Sequence, residues 1–200
     1  MPEPREILTF WFGQPQLDAV PDDKHRQRWF AGGEDLDRKI DKYFGSTVEA
    51  ALDGDLAQWR ETLEGEMALV LLCDQFTRNI YRDSDRAYAG DPLALDIAQA
   101  VIARGDDRDM GLYQRAFLGM PLEHSEEPAM QRRSVDYFNQ LRMDYLDGAE
   151  GAAQAESFYQ YAVAHRKVID EFGRYPHRNA ALGRESTPAE QKWLDQGGGF

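Results

Sequence analysis

The sequence predicts an all-α protein, and three observations carry that expectation. Nearly every long segment repeats its apolar residues at the helical period, no segment shows sustained apolar–polar alternation, and no hairpin signal joins two β-branched runs. Helices are expected over residues 4–12, 22–31, 34–52, 65–81, 93–104, 112–119, 126–147, 152–172 and 188–194. The connections are short, so successive helices should pack as antiparallel neighbours, in an array of helical hairpins or an irregular bundle. No clear 34-residue repeat is visible.

Two helices are placed sharply by their ends. Asp91-Pro92 supplies an N-cap acid and a proline at the first helical position, and Gly105 closes that helix after Arg104. Thr187-Pro188-Ala189-Glu190 is a capping box that opens the last helix. Beyond it, the tail Gly197-Gly198-Gly199-Phe200 should be flexible unless Phe200 docks.

The 65–81 helix is apolar on every side in its first half and therefore reads as buried. In its second half, at about 100° per residue, Asp74, Arg78 and Arg82 fall on one line with Gln75 and Asn79 beside it. This polar arc is either a solvated face with an i,i+4 ion pair or part of a site. Before the 126–147 helix, Ser125 fits an N-cap and Glu126 and Glu127 suit the positive end of the helix dipole. Capping leaves His124 unexplained, so His124 with Glu126 is a candidate acid–base or metal-ligand pair. The apolar stripe of that helix is Val135, Phe138, Leu141 and Tyr145. Along 152–172 the stripe is Phe158, Ala162, Ile169 and Phe172, and His165 lies on it, where a core histidine bonded to a carbonyl or carboxylate is the ordinary reading.

That helix leads into Phe172-Gly173-Arg174-Tyr175-Pro176-His177-Arg178-Asn179, followed by Gly183-Arg184. From Gly173 to Arg184 the three arginines meet no Asp or Glu, a formal +3, while the whole chain carries -13. Either the protein's own carboxylates or an anionic ligand must face this segment. Arginine suits bidentate recognition of carboxylate and phosphate.

Composition bounds the partners. A chain of 200 residues, 42% hydrophobic, is long enough for one domain, expected to span residues 1–200. A pI near 4.7 argues against DNA or RNA as main partner, because that affinity comes from many cationic contacts to phosphate. The single cysteine, Cys73, sits in an apolar run and reads as a buried small hydrophobe. No signal peptide and no apolar run of membrane-spanning length is seen, so a cytoplasmic protein away from membranes is expected. No histidines stand at i,i+4 and no known zinc spacing occurs, so neither metal nor other cofactor is expected. Oligomeric state is not encoded legibly; Trp11, Phe12, Trp29 and Phe30 could form core or interface.

Taken together, Ile7-Leu8-Thr9-Phe10-Trp11-Phe12-Gly13, Leu71-Leu72-Cys73-Asp74-Gln75-Phe76-Thr77-Arg78-Asn79, His124-Ser125-Glu126 and the arginine-rich segment resemble the bacterial family called domain of unknown function 924. The resemblance spans nearly the whole chain in order, with Cys73 standing where the family more often has an aliphatic residue. It implies an all-α fold of the tetratricopeptide-like superfamily and no established activity. The resemblance implies that the family's recurrent polar positions fall on Asp74, Gln75, Arg78, Asn79, Arg82, His124, Ser125, Glu126, His165, Arg174, His177, Arg178, Asn179 and Arg184.

Three functional readings follow. In the leading one, Asp74, Gln75, Arg78, Asn79, Arg82, Arg174, Arg178, Asn179 and Arg184, with His177, hold an anionic small molecule or a peptide carboxylate. In the second the protein is a hydrolase in which His124 or His177 acts as acid or base, Glu126 or Asp74 orients it, and the arginines stabilise developing negative charge. A metal-assisted version of that hydrolase would use His124, His165, His177 and a carboxylate. In the third the whole constellation is a buried network that fixes helix packing.

Overall fold

The computed structural model describes residues 1–31, 33–146 and 150–199, with the side chains of Phe30 and Ala31 excluded. The α-helices are α1 Pro4–Phe12, α2 Asp23–Ala31, α3 Glu34–Leu52, α4 Leu63–Val70, α5 Thr77–Ile80, α6 Asp91–Arg104, α7 Leu112–His124, α8 Pro128–Asp144, α9 Ala152–Phe172 and α10 Pro188–Asp195. Among the described residues there is no strand, and no helix is long and apolar enough to cross a membrane. The all-α expectation holds. The chain separates into two compact units, Met1–Arg82 with Arg86–Pro121, and Asp83–Asp85 with Leu122–Phe200.

In the first unit α1 packs against α4, and α3 packs against α5. Ile7, Leu8, Trp11 and Phe12, the buried side chains of α1, follow the i, i+1, i+4, i+5 spacing of one helix face. Trp11 and Phe12 are core: Phe117 lies edge-on to both, with ring centroids 5.5 and 5.6 Å away, and Trp29 stacks on Trp11 at 6.3 Å. Each such ring removed from water contributes about 1.5–3 kcal/mol. The central helix expected over 65–81 is interrupted, because α4 and α5 are joined by a π-helical segment, Leu71–Phe76. Gly90 lets α6 begin against this segment: a Cβ there would lie 2.4 Å from the Cys73 carbonyl oxygen.

The second unit is built on α8 and α9. Phe138 meets Phe158 at 6.5 Å and Arg142 meets Glu156 at 3.2 Å, partners running in opposite order, so the two helices are antiparallel. α9 buries Ala155, Phe158, Ala162, His165, Val168 and Ile169. Gly173 ends it in the left-handed region at φ 70°, its N–H bonded to the Ile169 carbonyl, which turns the chain into Arg174. The Thr187–Glu190 capping box forms and opens α10, and Trp193 of α10 packs on Phe172 at 5.7 Å.

Three expectations change in detail. α7 does not stop at 119 but runs through Pro121 to His124, because Leu122 and Glu123 bury their side chains and hold its last turn in place. α8 starts at Pro128 rather than 126, since a proline takes the first helical position and forces the residue before it, Glu127, into extended backbone. Its inward face carries Gln131 and Ser134 as well as Phe138 and Leu141, so two polar residues occupy positions that an apolar stripe cannot reveal. The docking of Phe200 and the expected last residue of the 126–147 helix lie outside the described residues.

Candidate functional site

In the first unit the polar arc begins inside the π-helical segment, whose i→i+5 bonding loosens the ladder. The Thr77 hydroxyl donates to the Cys73 carbonyl at 2.8 Å. Asp74 is fully buried; its carboxylate accepts from Gln75 Nε2 at 2.6 Å and lies 3.2 Å from Arg78 Nη1. Arg78 forks onto Asp91 with bonds of 2.8 and 3.0 Å and also donates to the Asp74 carbonyl. Burial opposes the Arg78 charge, but Asp74 and Asp91 outweigh it and raise the guanidinium pKa. Asn79 donates to Asp37 at 2.8 Å, and Arg82 forks onto the same carboxylate at 2.8 and 3.1 Å. Asp37 of α3 and Asp91 of α6 therefore receive the cations of this arc. Cys73, fully buried beside it, has its thiol pushed up to about 12, first by burial and then by Asp74 and Asp91.

The arginine-rich loop of the second unit is tied down in a similar way. Arg174 forks onto Glu190 at 2.7 and 2.9 Å and also donates to the Glu185 carbonyl. Glu190 is held down to about 2, chiefly by Arg174 and then, against the effect of burial, by the Thr187 backbone N–H. Arg184 forks onto Glu126 at 2.7 and 2.9 Å, donates to the Tyr175 carbonyl at 3.0 Å, and donates through Nε to Asn179 at 3.0 Å. Glu126 also accepts the Tyr175 N–H at 2.8 Å. Burial raises the Glu126 pKa, but Arg184 and the Tyr175 N–H lower it by more. Asn179 reaches Ser186 at 3.1 Å.

Inside these clamps lies a second group of side chains. Tyr175 is fully buried and its hydroxyl donates to the Glu123 carbonyl. The Gln131 amide nitrogen faces the carbonyls of Glu123 and Ser125, at 2.7 and 2.6 Å, and the Tyr175 hydroxyl at 2.9 Å. The Arg178 guanidinium is 4.6 Å from the centre of the Tyr175 ring. His165 and His177 lie 5.7 and 5.5 Å from that ring, and His124 is 5.9 Å from His165. His165 and Arg178 are buried, while His124 and His177 are half-buried. The His165 Nδ1–H donates to the Tyr161 carbonyl at 2.9 Å. Its pKa falls to about 3, first through burial and then through the positive charge of His124, Arg178 and His177. Ligand-capable atoms of Glu123, His124 and His165 all lie within 4.8 Å of one another.

The sequence-predicted residues thus divide. Asp74, Gln75, Arg78, Asn79 and Arg82 belong to the first unit; His124, Glu126, Arg174, His177, Arg178, Asn179 and Arg184 belong to the second, with His165 among them. Sequence reasoning missed Glu123, Gln131, Asp37 and the pairing of Glu190 with Arg174. Glu123 was hidden because the helix was expected to end before it, and Gln131 because a buried glutamine looks like any helix-surface glutamine. An apolar cavity of about 560 Å³ is lined by Phe10, Pro15, Tyr43 and Phe44, with Arg5, Glu6 and Thr9 also lining it; none of the predicted residues does.

Comparison with known proteins agrees with the motifs. The model of a family described as bacterial protein of unknown function (DUF924) matches residues 7–198. A solved structure, a protein of unknown function (ATU0120) from Agrobacterium tumefaciens, is 32% identical, superposes with a TM-score of 0.81, and is covered over 97% of its length by 96% of this chain. No curated protein matches. The family match over almost the full length, together with the solved relative, places the chain in the bacterial family domain of unknown function 924.

Proposed function

We propose that this protein binds a small anion, a carboxylate or a phosphate, in its second unit, with Arg178 and His177 as the groups that meet it. The observation that carries this reading is the gathering of His165, His177 and the Arg178 guanidinium around Tyr175, with His124 beside His165, in a chain of net charge -13. The neighbouring arginines serve structure: Arg174 pairs with Glu190 and Arg184 with Glu126. Arg78 and Arg82 are engaged by Asp91 and Asp37 in the same manner. Binding is preferred over hydrolysis because the Glu126 carboxylate, which a hydrolase would use to orient a histidine, is committed to Arg184 and the Tyr175 N–H. The tetratricopeptide-like architecture is retained in the proposal, with the antiparallel α8 and α9 as one hairpin of the kind such arrays repeat.

The test is calorimetric titration with inorganic phosphate and with small dicarboxylates, in EDTA. Saturable binding that is lost in Arg178→Gln and in His177→Ala is the expected result. His177 is half-buried, so its variant should keep the parent unfolding midpoint. Affinity weaker than about 1 mM for every anion, corresponding to less than about 4 kcal/mol, would overturn the proposal.

A further inference from the structure

We infer that the same place also takes a divalent transition-metal ion, with Glu123, His124 and His165 as its protein ligands. The inference rests on the anion-site reading only for what fills the remaining coordination position. Two rigid elements supply the donors: the last turn of α7 carries Glu123 and His124, and the middle of α9 carries His165. Their ligand-capable atoms already lie within 4.8 Å of one another. Donors around a tetrahedral ion at about 2.1 Å sit about 3.4 Å apart, so small rotations of the half-buried His124 and of the Glu123 carboxyl close the set.

The surroundings are those that orient metal ligands. A carbonyl can only accept, so the bond from His165 Nδ1 to the Tyr161 carbonyl fixes the proton on Nδ1, the tautomer in which Nε2 carries the lone pair. The chain at Glu123 is anchored from two sides, its carbonyl accepting from the Tyr175 hydroxyl and from Gln131. Two imidazoles and one carboxylate suit zinc, cobalt or manganese rather than calcium, and three protein ligands leave one position open. A dication beside Arg178, with one carboxylate in its shell, remains net positive, so an anion is the natural fourth ligand. Metal and anion should each tighten the other's binding by the same factor.

Cobalt(II) titration of EDTA-stripped, full-length protein, followed by visible absorption, tests this. One equivalent should give ligand-field bands, and affinity should fall more than about 100-fold in His124→Ala and in Glu123→Gln, beyond the loss that outer-shell changes cause. His25→Ala, which removes a histidine of α2, should leave the titration unchanged. Absence of bands, or bands that survive both His124→Ala and Glu123→Gln, would overturn the inference. Inorganic phosphate added to the cobalt form separates the two claims. If cobalt binds through these residues and phosphate binds neither form, the metal site stands and the anion site falls. If phosphate binds in EDTA and cobalt finds no site, the anion site stands and the metal site falls.

Discussion

Replacing Arg78 with leucine probes the charge balance of the first unit. Leucine keeps much of the apolar stem and removes the guanidinium that contacts Asp74 and Asp91. The Asp91 side chain is 23% exposed and gains water in exchange, whereas Asp74 is fully buried and keeps the Gln75 amide in place of a counter-ion. Breaking one side of a buried ion pair costs about 3–5 kcal/mol. The retained bond from Gln75 to a charged group holds the cost near 3–4 kcal/mol. At about 2–4 °C per kcal/mol for a chain of this size, the unfolding midpoint should fall by roughly 6–16 °C at pH 8. The pH dependence sharpens the test. Without its counter-ion the buried Asp74 titrates higher when folded than when unfolded, so the folded variant holds the extra proton as pH falls. The stability gap to the parent should therefore narrow between pH 8 and pH 5, by up to about 1.4 kcal/mol for each unit that pH drops below the raised pKa. Thermal unfolding followed by circular dichroism at pH 8, 6 and 5 measures it. A loss under about 1 kcal/mol at pH 8, or a gap independent of pH, would show that Arg78 does not balance Asp74, and the structural assignment of this arc would fail.

Two further outcomes are expected. Glu190 titrates near 2 in the folded protein against an ordinary 4.5, so its stabilisation is complete above 4.5 and drains as pH falls toward 2; acid titration of Glu190→Gln should show a shallower loss of stability across that window than the parent. The Cys73 thiol, buried and raised to about 12, should resist a disulfide reagent at pH 8 in the native protein and react fully in urea, and rapid native labelling would contradict its burial.

The parts of the fold that were legible in the sequence are those fixed by local chemistry. Gly105 closes α6 in the left-handed region and the Thr187–Glu190 box opens α10, each a property of a few adjacent residues. Illegible were the features set by distant packing. The π-helical segment leaves no mark on an apolar run, and α7 passes through Pro121 because of burial supplied by other elements. The same division governs the candidate site. Arg174, Arg178, His177 and His165 stood out by sign or by misplacement on an apolar stripe. The pairings of the arginines were not marked in this way: Glu190, Glu126, Asp37 and Asp91 lie 16, 58, 45 and 13 residues from the arginines they bind, separations that no spacing rule covers.

Glu123 illustrates the consequence for function. Metal motifs readable in a sequence place two ligands one helical turn apart, because i and i+4 share a face. Here adjacent residues of one helix end approach a histidine of another, His165 standing 41 positions after His124, so the cluster exists only once α7 runs past Pro121. The backbone step that escaped local rules is thus the one that brings the cluster together. Shortening α7 by unravelling its last turn should disperse Glu123 and His124 while sparing the Arg184–Glu126 and Arg174–Glu190 clamps, since neither clamp uses a side chain of that turn. The arginine clamps and the histidine cluster are in this sense separable: the clamps hold the loop, and the helix end decides whether Glu123 and His124 reach His165.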